Sequence, residues 1–390
     1  MDENNPSSNE FANPTPSPAP NPAPNPAPKP PPVILAPQVS PPPKRTGRGW
    51  MILALVLFAL LAFSLLANFG QMVSGLSSLA PTHKRSSGPR MEEILLRDNG
   101  ASSKIAVIPV EGVITGQRID GTAFNQVDVI EEQLRRAGAD KRVKAVVLRV
   151  DSPGGEVLAS DEIAKAIRDF QEENSKPVVA SMGDLAASGG YYVAAPCRWI
   201  VANEMTITGS IGVIMSGLNY RGLMDKVGLE PRVYKSGKFK DMLSGSRRSS
   251  EIPAEEERML QELIDEVYKK FKTVVAEGRQ DAIDVNGPEG RKLVDNWSDY
   301  ADGRVFSGMK AYEWGFVDEL GNFDVAVERA MDLGGVFNAN VVEYRQIIDL
   351  ADLFRMFGRS EPQALKVDIG IEAPKLKAGQ PYFLYSDYLN

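Results

Sequence analysis

The sequence of 390 residues contains one histidine, His83, and one cysteine, Cys197. A single thiol excludes an internal disulfide. A Ser-His-Asp triad needs an imidazole beside the nucleophile, and the only imidazole lies in a Pro-Thr-His-Lys-Arg run towards the N-terminal side. Zinc sites built from His and Cys need three or four such ligands, so they are excluded too. We therefore predict that one subunit works without imidazole, disulfide or zinc chemistry, and without a metal or cofactor.

Positive charge is also scarce. The chain has 44 Lys and Arg against 51 Asp and Glu, a net charge of -7. Residues 1–49 carry four positive and three negative side chains, so the excess of negative charge belongs to the rest of the chain. Because phosphate binding needs a basic surface, we predict that nucleic acid is not a partner.

Residues 1–49 form the first predicted region, a proline-rich leader. Residues 1–43 hold sixteen of the 28 prolines and few large apolar side chains, so they cannot build a core. We predict a disordered segment with polyproline II character on the cytoplasmic side. We interpret this segment as a solvated spacer; the alternative is a ligand for proline-binding modules.

Residues 50–70 are predicted to form one transmembrane helix. Residues 50–67 contain no charge, and eighteen residues at 1.5 Å rise give about 27 Å, enough to cross the apolar part of a bilayer. Three basic residues precede the run, so the positive-inside rule places the N-terminus in the cytoplasm and the bulk of the chain outside it. A cleaved signal peptide and a buried soluble helix are the alternatives.

Three further regions follow: a flexible neck at 71–101, a peptidase domain at 102–345 and a C-terminal tail at 346–390. Short apolar runs alternate with helical patterns from residue 104 onwards, which predicts an α/β domain with a parallel sheet. The predicted strands are 104–110, 143–150, 177–181 and 231–234, and the predicted helices are 127–137, 160–173, 254–276 and two that start near 308 and 324.

Two predicted strands end in small, glycine-rich turns, DSPGG at 151–155 and SMGDLAASGGY at 181–191. Sites in open α/β folds gather at the carboxyl ends of strands, and glycine lets backbone N–H groups approach a ligand. Ser188, in the second turn, precedes a predicted helix. The N-terminus of that helix would favour a developing oxyanion.

A nucleophilic serine needs a base, and imidazole is not available near the turns. Lysine serves when desolvation lowers the pKa of its ammonium group. KSGKFKD at 235–241 offers three lysines, and Asp151 and Asp184 lie near the turns. If this stretch were extended, Lys238 and Lys240 would lie on one side of it, so strand parity does not choose between them.

Five blocks of the sequence resemble, in order and spacing, the short single-repeat form of the signal peptide peptidase A family. The likeness covers about residues 104–333 and the apolar segment before them. The blocks are SPGG (152–155), AASGGY (186–191), TGSIGV (208–213), KSGKFKD (235–241) and the pair DGRV and GFVDELG (302–305 and 315–321). Residues 242–248 depart from the family's usual turn, and the proline-rich leader has no counterpart.

The resemblance implies a serine/lysine peptidase with the Clp-protease/crotonase-like fold, a repeated ββα spiral. Ser188 corresponds to the nucleophile, and Lys240 corresponds to the general base. Ser210 corresponds to the residue that orients this lysine. The N–H groups of Gly155 and Gly189 correspond to the oxyanion hole.

The function that the resemblance implies is a membrane-anchored serine endopeptidase that degrades remnant signal peptides or other apolar peptides. It further implies a ring-like homo-oligomer in which Ser188 and Lys240 come from one subunit or from neighbours. The alternatives are a general quality-control protease of the cell envelope, a crotonase-like acyl-CoA enzyme and a catalytically silent scaffold. The apolar tail at 382–385 is predicted either to occupy the substrate groove or to be a disordered end or a subunit contact.

Overall fold

The computed structural model describes residues 48–77, 88–118, 124–347 and 381–384. The chain divides into two units, Met1–His83 and Lys84–Asn390. The element described in the first unit is helix α1 (Arg48–Ser77). Within the described residues, no helix has both the length and the apolar character needed to cross a bilayer. The helix predicted at 50–70 is present, but the structure does not support its prediction as a transmembrane segment. Most of the predicted leader lies outside the described residues.

The second unit is built on a nine-stranded mixed sheet, most of whose strand pairs are parallel. Its central order is β1-β10-β2-β3-β5-β6-β9, and β7 joins β5 while β8 joins β7. The strands are β1 (Met91–Arg97), β2 (Lys104–Glu111), β3 (Val143–Ser152), β5 (Val178–Ala187), β6 (Trp199–Ala202), β7 (Ile207–Gly209), β8 (Val305–Ser307), β9 (Glu319–Leu320) and β10 (Asn340–Gln346). Two further strands, β4 (Gly154–Glu156) and β11 (Tyr382–Leu384), form a separate antiparallel pair. The predicted α/β class is therefore confirmed.

Helices cover both faces of the sheet. Successive residues of β2 alternate between two cores, as a parallel sheet covered on both faces requires. Ala106 and Ile108 join the larger core, and Ile105 and Val107 join the smaller one together with Ala326. The helices are α2 (Gln126–Ala139), α3 (Val157–Asn174), α4 (Gly189–Ala194), α5 (Arg221–Lys226), α6 (Ala254–Asn286), α7 (Gly308–Glu313) and α8 (Phe323–Leu333).

Two parts of the predicted organisation are wrong. The neck at 71–101 is not flexible throughout, since α1 continues to Ser77 and Met91–Arg97 forms edge strand β1, paired antiparallel with β10. The strand predicted at 231–234 is absent; Tyr234 is 92% exposed, and no strand of the described chain pairs with this run. A short β-rich run forms a strand only where a partner supplies its backbone hydrogen bonds.

Strands β3 and β5 are parallel neighbours in the sheet. Their carboxyl ends therefore lie side by side. The strand predicted at 177–181 extends to Ala187, so most of the second predicted turn belongs to β5 and the chain turns at Ser188. Residues Gly154–Glu156 form β4 directly after β3, and Ser188 follows β5 at the start of α4.

Candidate active site

Ser188 lies in a sharp turn between β5 and α4. Its backbone angles are φ 53° and ψ -116°, a conformation that side-chain-bearing residues rarely adopt. The turn is fixed from both directions, because Ser188 N–H donates to the Gly209 carbonyl at 2.8 Å and the Ser188 carbonyl accepts from Tyr192 N–H at 2.8 Å. Gly190 is required for the close packing, since a Cβ there would lie 2.7 Å from the Ser152 carbonyl oxygen.

The Ser188 hydroxyl is buried and unpartnered. The residue is 1% exposed, and within the described chain its Oγ makes no hydrogen bond. Buried hydroxyl groups are nearly always paired, so one without a partner suggests an atom reserved for a reaction. Strained backbone and an unpaired hydroxyl together favour Ser188 as a nucleophile.

The two predicted oxyanion donors lie close together beside Ser188. A Cβ on Gly189 would lie 3.1 Å from the Gly155 nitrogen and 3.0 Å from Gly154 Cα, so the two backbone segments touch. A Cβ on Gly155 would lie 1.9 Å from the Ile114 carbonyl oxygen, which excludes a side chain there. Glycine at these positions therefore allows β4 and the start of α4 to meet.

Ser210 follows β7, the strand that pairs with the end of β5 through Ala187 and Gly209. It is buried and has a positive φ of 50°. Its N–H donates to the Arg304 carbonyl at 2.7 Å. Because β7 and β5 pair in parallel and end together, Ser210 and Ser188 follow neighbouring strand ends.

Within one chain, Lys240 makes no hydrogen bond to the Ser188 hydroxyl. It lies in an exposed turn, where its backbone N–H donates to the Gly237 carbonyl at 3.2 Å. The structure does distinguish the three lysines: Lys235 pairs with the Asp241 carboxylate at 2.7 Å, and Lys238 pairs with Glu255. In the described chain, Lys240 makes no side-chain hydrogen bond or ion pair.

The C-terminal segment lies on the predicted oxyanion strand. Strand β11 runs antiparallel to β4, and Phe383 pairs with Gly155. On its other side, Tyr382 exchanges two backbone hydrogen bonds with Ile214, at 3.0 and 3.1 Å. Residues 382–384 are therefore held in extended form between β4 and Ile214, whereas residue 385 lies outside the described residues.

The carbonyl oxygen of Phe383 lies near the Gly189 nitrogen. The point that a Cβ on Gly154 would occupy is 2.0 Å from the Phe383 carbonyl oxygen and 2.6 Å from the Gly189 nitrogen. The Phe383 carbonyl oxygen and the Gly189 nitrogen therefore lie close to each other, next to Gly154. An extended peptide bound here presents one carbonyl group to this part of the site.

An aromatic pocket beneath β11 was missed by the sequence analysis. The fully buried ring of Phe383 stacks on Tyr192 at a centroid distance of 4.8 Å and packs against Phe271 of α6 at 4.6 Å. The Tyr192 hydroxyl donates to Asp161 at 2.5 Å. Burial, and then this hydrogen bond, raise the pKa of Tyr192, so the hydroxyl stays protonated. The Tyr-Tyr pair after the AASGG block was a signal in the sequence, but nothing in it pointed to Phe271.

Two further buried groups, Arg279 and Cys197, have no part in the proposed chemistry. Arg279 of α6 pairs with Asp318, and both side chains are almost completely buried. Cys197 is also buried, and burial raises the pKa of its thiol, which disfavours a reactive thiolate.

Comparisons with known proteins agree with this geometry. A family model described as "Peptidase family S49" matches residues 170–336. A protease of Synechocystis is 38% identical over 292 residues, which are 72% of this chain and 96% of that protein. This chain belongs to peptidase family S49. A relative from Enterococcus faecium that carries the name signal peptide peptidase SppA is 38% identical over 257 residues, 65% of this chain and 70% of that one. The chloroplastic serine protease SPPA of Arabidopsis thaliana is 33% identical over 232 residues, 58% of this chain and 32% of that protein.

Membership in family S49 confirms the predicted resemblance to SppA and the prediction of a serine peptidase. The matched segment contains both the turn that carries Ser188 and the loop that carries Lys240. The roles of individual residues stay predictions.

Proposed function

We propose that this serine peptidase is an endopeptidase that cleaves extended apolar segments, with remnant signal peptides as its substrates. The observation that carries the proposal is strand β11, an extended segment paired with β4 beside Ser188. Peptides commonly bind by adding a strand to an exposed edge, where backbone hydrogen bonds give affinity and side-chain pockets give specificity. The pocket that takes Phe383 is apolar, which favours apolar substrates.

In the proposed mechanism, neutral Lys240 takes the proton of the Ser188 hydroxyl as its oxygen attacks the peptide carbonyl carbon. The Gly155 and Gly189 N–H groups stabilise the oxyanion. One such donor is typically worth about 2.7–4 kcal/mol. Protonated Lys240 then gives its proton to the leaving amine, and water hydrolyses the acyl-enzyme. Ser210 orients the lysine in this scheme.

We further propose that Lys240 reaches Ser188 from a neighbouring copy in a homo-oligomer. The segment that carries Lys240 exposes an unusual number of large apolar side chains, and such a patch is typical of an interaction surface. These side chains are Leu218, Tyr220, Leu223, Val227, Leu229, Val233 and Tyr234. An assembly that buries them would also desolvate a lysine in their midst, as a lysine base requires.

General cleavage of misfolded envelope proteins stays an alternative for the substrate, because backbone pairing with β4 does not depend on the sequence of the bound segment. The Clp-protease/crotonase-like spiral is the finer fold that we propose; a mixed sheet with crossover helices and a buried glycine-rich turn supports it. Strand β11 resembles a bound peptide, which favours a peptidase over a crotonase-like acyl-CoA enzyme.

The test uses the purified full chain and an apolar fluorogenic peptide. We expect wild type to hydrolyse the peptide, and Ser188→Ala, Lys240→Ala and Lys240→Arg to lose activity by at least roughly 1,000-fold. Lys240→Arg fails because arginine stays charged and cannot accept a proton. Lys238→Ala is the matched control: it removes a lysine of the same loop, one held by Glu255, and should retain activity.

Mixing the two inactive variants tests the shared site. If Ser188 and Lys240 come from different copies, Ser188→Ala mixed with Lys240→Ala regains about one quarter of the wild-type activity, because random assembly restores that share of sites. Hydrolysis by Ser188→Ala at the wild-type rate would overturn the peptidase assignment of this residue. A mixture that stays inactive after subunit exchange would overturn the shared site alone.

A further inference from the structure

The pocket formed by Tyr192 and Phe271 has the position and shape of a specificity site. It holds the side chain of Phe383, the residue that pairs with Gly155 of β4. The carbonyl oxygen of the same residue lies near the Gly189 nitrogen. Three rings meet there, since Tyr192 and Phe271 also contact each other at a centroid distance of 4.9 Å. The pocket is therefore aromatic on two sides before any ligand enters.

We propose that this pocket selects an aromatic side chain on the acyl side of the bond that is cleaved. The inference rests on the proposed function, because it treats strand β11 as an image of a bound substrate. In that image, the residue paired with Gly155 supplies both the carbonyl that reacts and the side chain that enters the pocket. The substrates are thus extended apolar segments with Phe, Tyr or Trp at that residue.

The geometry of the pocket favours a ring over an aliphatic chain. Phe383 lies nearly parallel to Tyr192, at an interplanar angle of 24°, and is tilted by 52° against Phe271. A flat side chain fills the space between two such faces, and aromatic pairs gain stability beyond the area that they bury. A charged side chain would lose its hydration among these rings and is expected to be rejected.

Asp161 acts as a positioning residue for the pocket. Its carboxylate accepts a hydrogen bond from the Tyr192 hydroxyl at 2.5 Å, and this bond fixes the orientation of the ring. Its neighbour Ser160 contacts the site as well: Ser160 Oγ donates to the Glu156 carbonyl at 2.9 Å and lies 2.7 Å from the point that a Cβ on Gly189 would occupy. The start of α3 therefore connects the pocket with the oxyanion strand.

The test compares kcat/KM for peptides that differ only at the residue next to the cleaved bond, with Phe, Leu or Ala there. Competition by strand β11 changes kcat/KM for every peptide by the same factor, so the ratios report the pocket alone. We expect the wild-type full chain to prefer Phe over Ala by at least roughly 10-fold. Cleavage after the varied residue is verified by mass spectrometry of the products.

Phe271→Leu and Phe271→Ala are the informative variants. Each should lower the preference for Phe over Leu by roughly 2- to 10-fold, because one aromatic pair is lost. Phe271→Leu keeps most of the volume and guards against misfolding. Phe170→Leu, which changes a buried ring of the core, is the matched control and should leave the ratio unchanged.

Equal kcat/KM for Phe, Leu and Ala peptides in wild type would overturn the inference, and so would ratios that do not change in either Phe271 variant. Both results leave peptide hydrolysis intact and are therefore distinct from a failure of the proposed function. That failure would show as no hydrolysis of any peptide above the level of Ser188→Ala, and the inference would fall with it.

Discussion

Strand β11 occupies the groove in which a substrate is proposed to bind, so a free peptide must displace it. The Phe383 side chain has no exposed surface, and the ring centroids of Tyr192 and Phe271 lie within 5 Å of its own. Phe383→Ala removes the ring and leaves the strand's backbone able to bond to Gly155. The substitution is therefore expected to weaken the docking of the strand without altering the groove.

The magnitude follows from the burial of the ring. Truncation of a buried Phe to Ala typically costs about 3–5 kcal/mol. We use the lower value, about 3 kcal/mol, because the pocket opens when the strand leaves; this shifts the equilibrium towards the undocked strand by roughly 100-fold. The KM for a peptide should fall, by up to this factor if the strand is docked most of the time, because apparent affinity scales with the fraction of free grooves. kcat should change little, since the free groove is the same in both proteins.

Steady-state kinetics of the full chain with a fluorogenic apolar peptide measures both constants. Deletion of residues 381–390 should lower KM at least as much as Phe383→Ala does. Phe337→Ala is the control, since Phe337 is fully exposed in a loop of the same domain. If KM stays unchanged in both tail variants, the strand does not compete with substrates, and the reasoning from its position is refuted.

Three further predictions concern groups around the site and the sheet. Glu156→Gln should lower kcat by roughly 10-fold with little effect on melting temperature, because the carboxylate fixes the loop beside β4 through three hydrogen bonds; kinetics and thermal denaturation check this. Arg279→Met should lower the free energy of unfolding by about 3–5 kcal/mol in urea titrations, because the buried Asp318 carboxylate loses the positive charge that it pairs with. Burial alone would raise the pKa of Asp140, but hydrogen bonds from Arg142 and Lys104 lower it to about 2. A carboxyl whose pKa falls on folding stabilises the protein above its unfolded pKa, so this contribution should be lost between about pH 4 and 2, and Asp140→Asn should flatten that loss in urea titrations.

The sequence predicted those parts of the site that depend on local pattern. Apolar runs gave β3 and β5, and their parallel pairing placed the two glycine-rich turns side by side. Ser188 could be identified from the sequence because the sharp turn that carries it needs small neighbours, and Gly189 and Gly190 follow directly. The positive φ of Ser188, in contrast, accompanies a backbone hydrogen bond to the Gly209 carbonyl, which the sequence did not indicate.

Pairings between distant segments could not be predicted in this way. Strand β1 depends on β10, and β11 depends on β4, and in both pairs the partners lie more than 200 residues apart in the sequence. Short strands carry no record of register, because many pairings satisfy the same backbone groups. The prediction of a strand at 231–234 failed for the same reason, since β propensity without a partner is not sufficient.

The sequence predicted a helix at 254–276, but it did not indicate which residues of this helix are buried or what they contact. Phe271 is one of these buried residues, and only the fold brings it to Tyr192 and the groove. A residue that determines specificity from a distant helix therefore has the same periodic pattern as a core residue. Substitutions that separate stability from substrate preference, such as those at Phe271 and Phe170, are needed to distinguish the two.

The choice among the three lysines shows how the structure adds to the sequence. Parity left Lys238 and Lys240 equivalent, but Lys238 is paired with Glu255 and Lys235 with Asp241, so either would have to give up an ion pair to serve as a base. Lys240 has no such partner in the described chain, and it lies on a segment with exposed apolar side chains. Ser188 lacks a base, and Lys240 lacks an acid partner or a buried environment. A second copy that covers this segment would meet both needs, and this is why mixing inactive variants is the decisive measurement for the dyad.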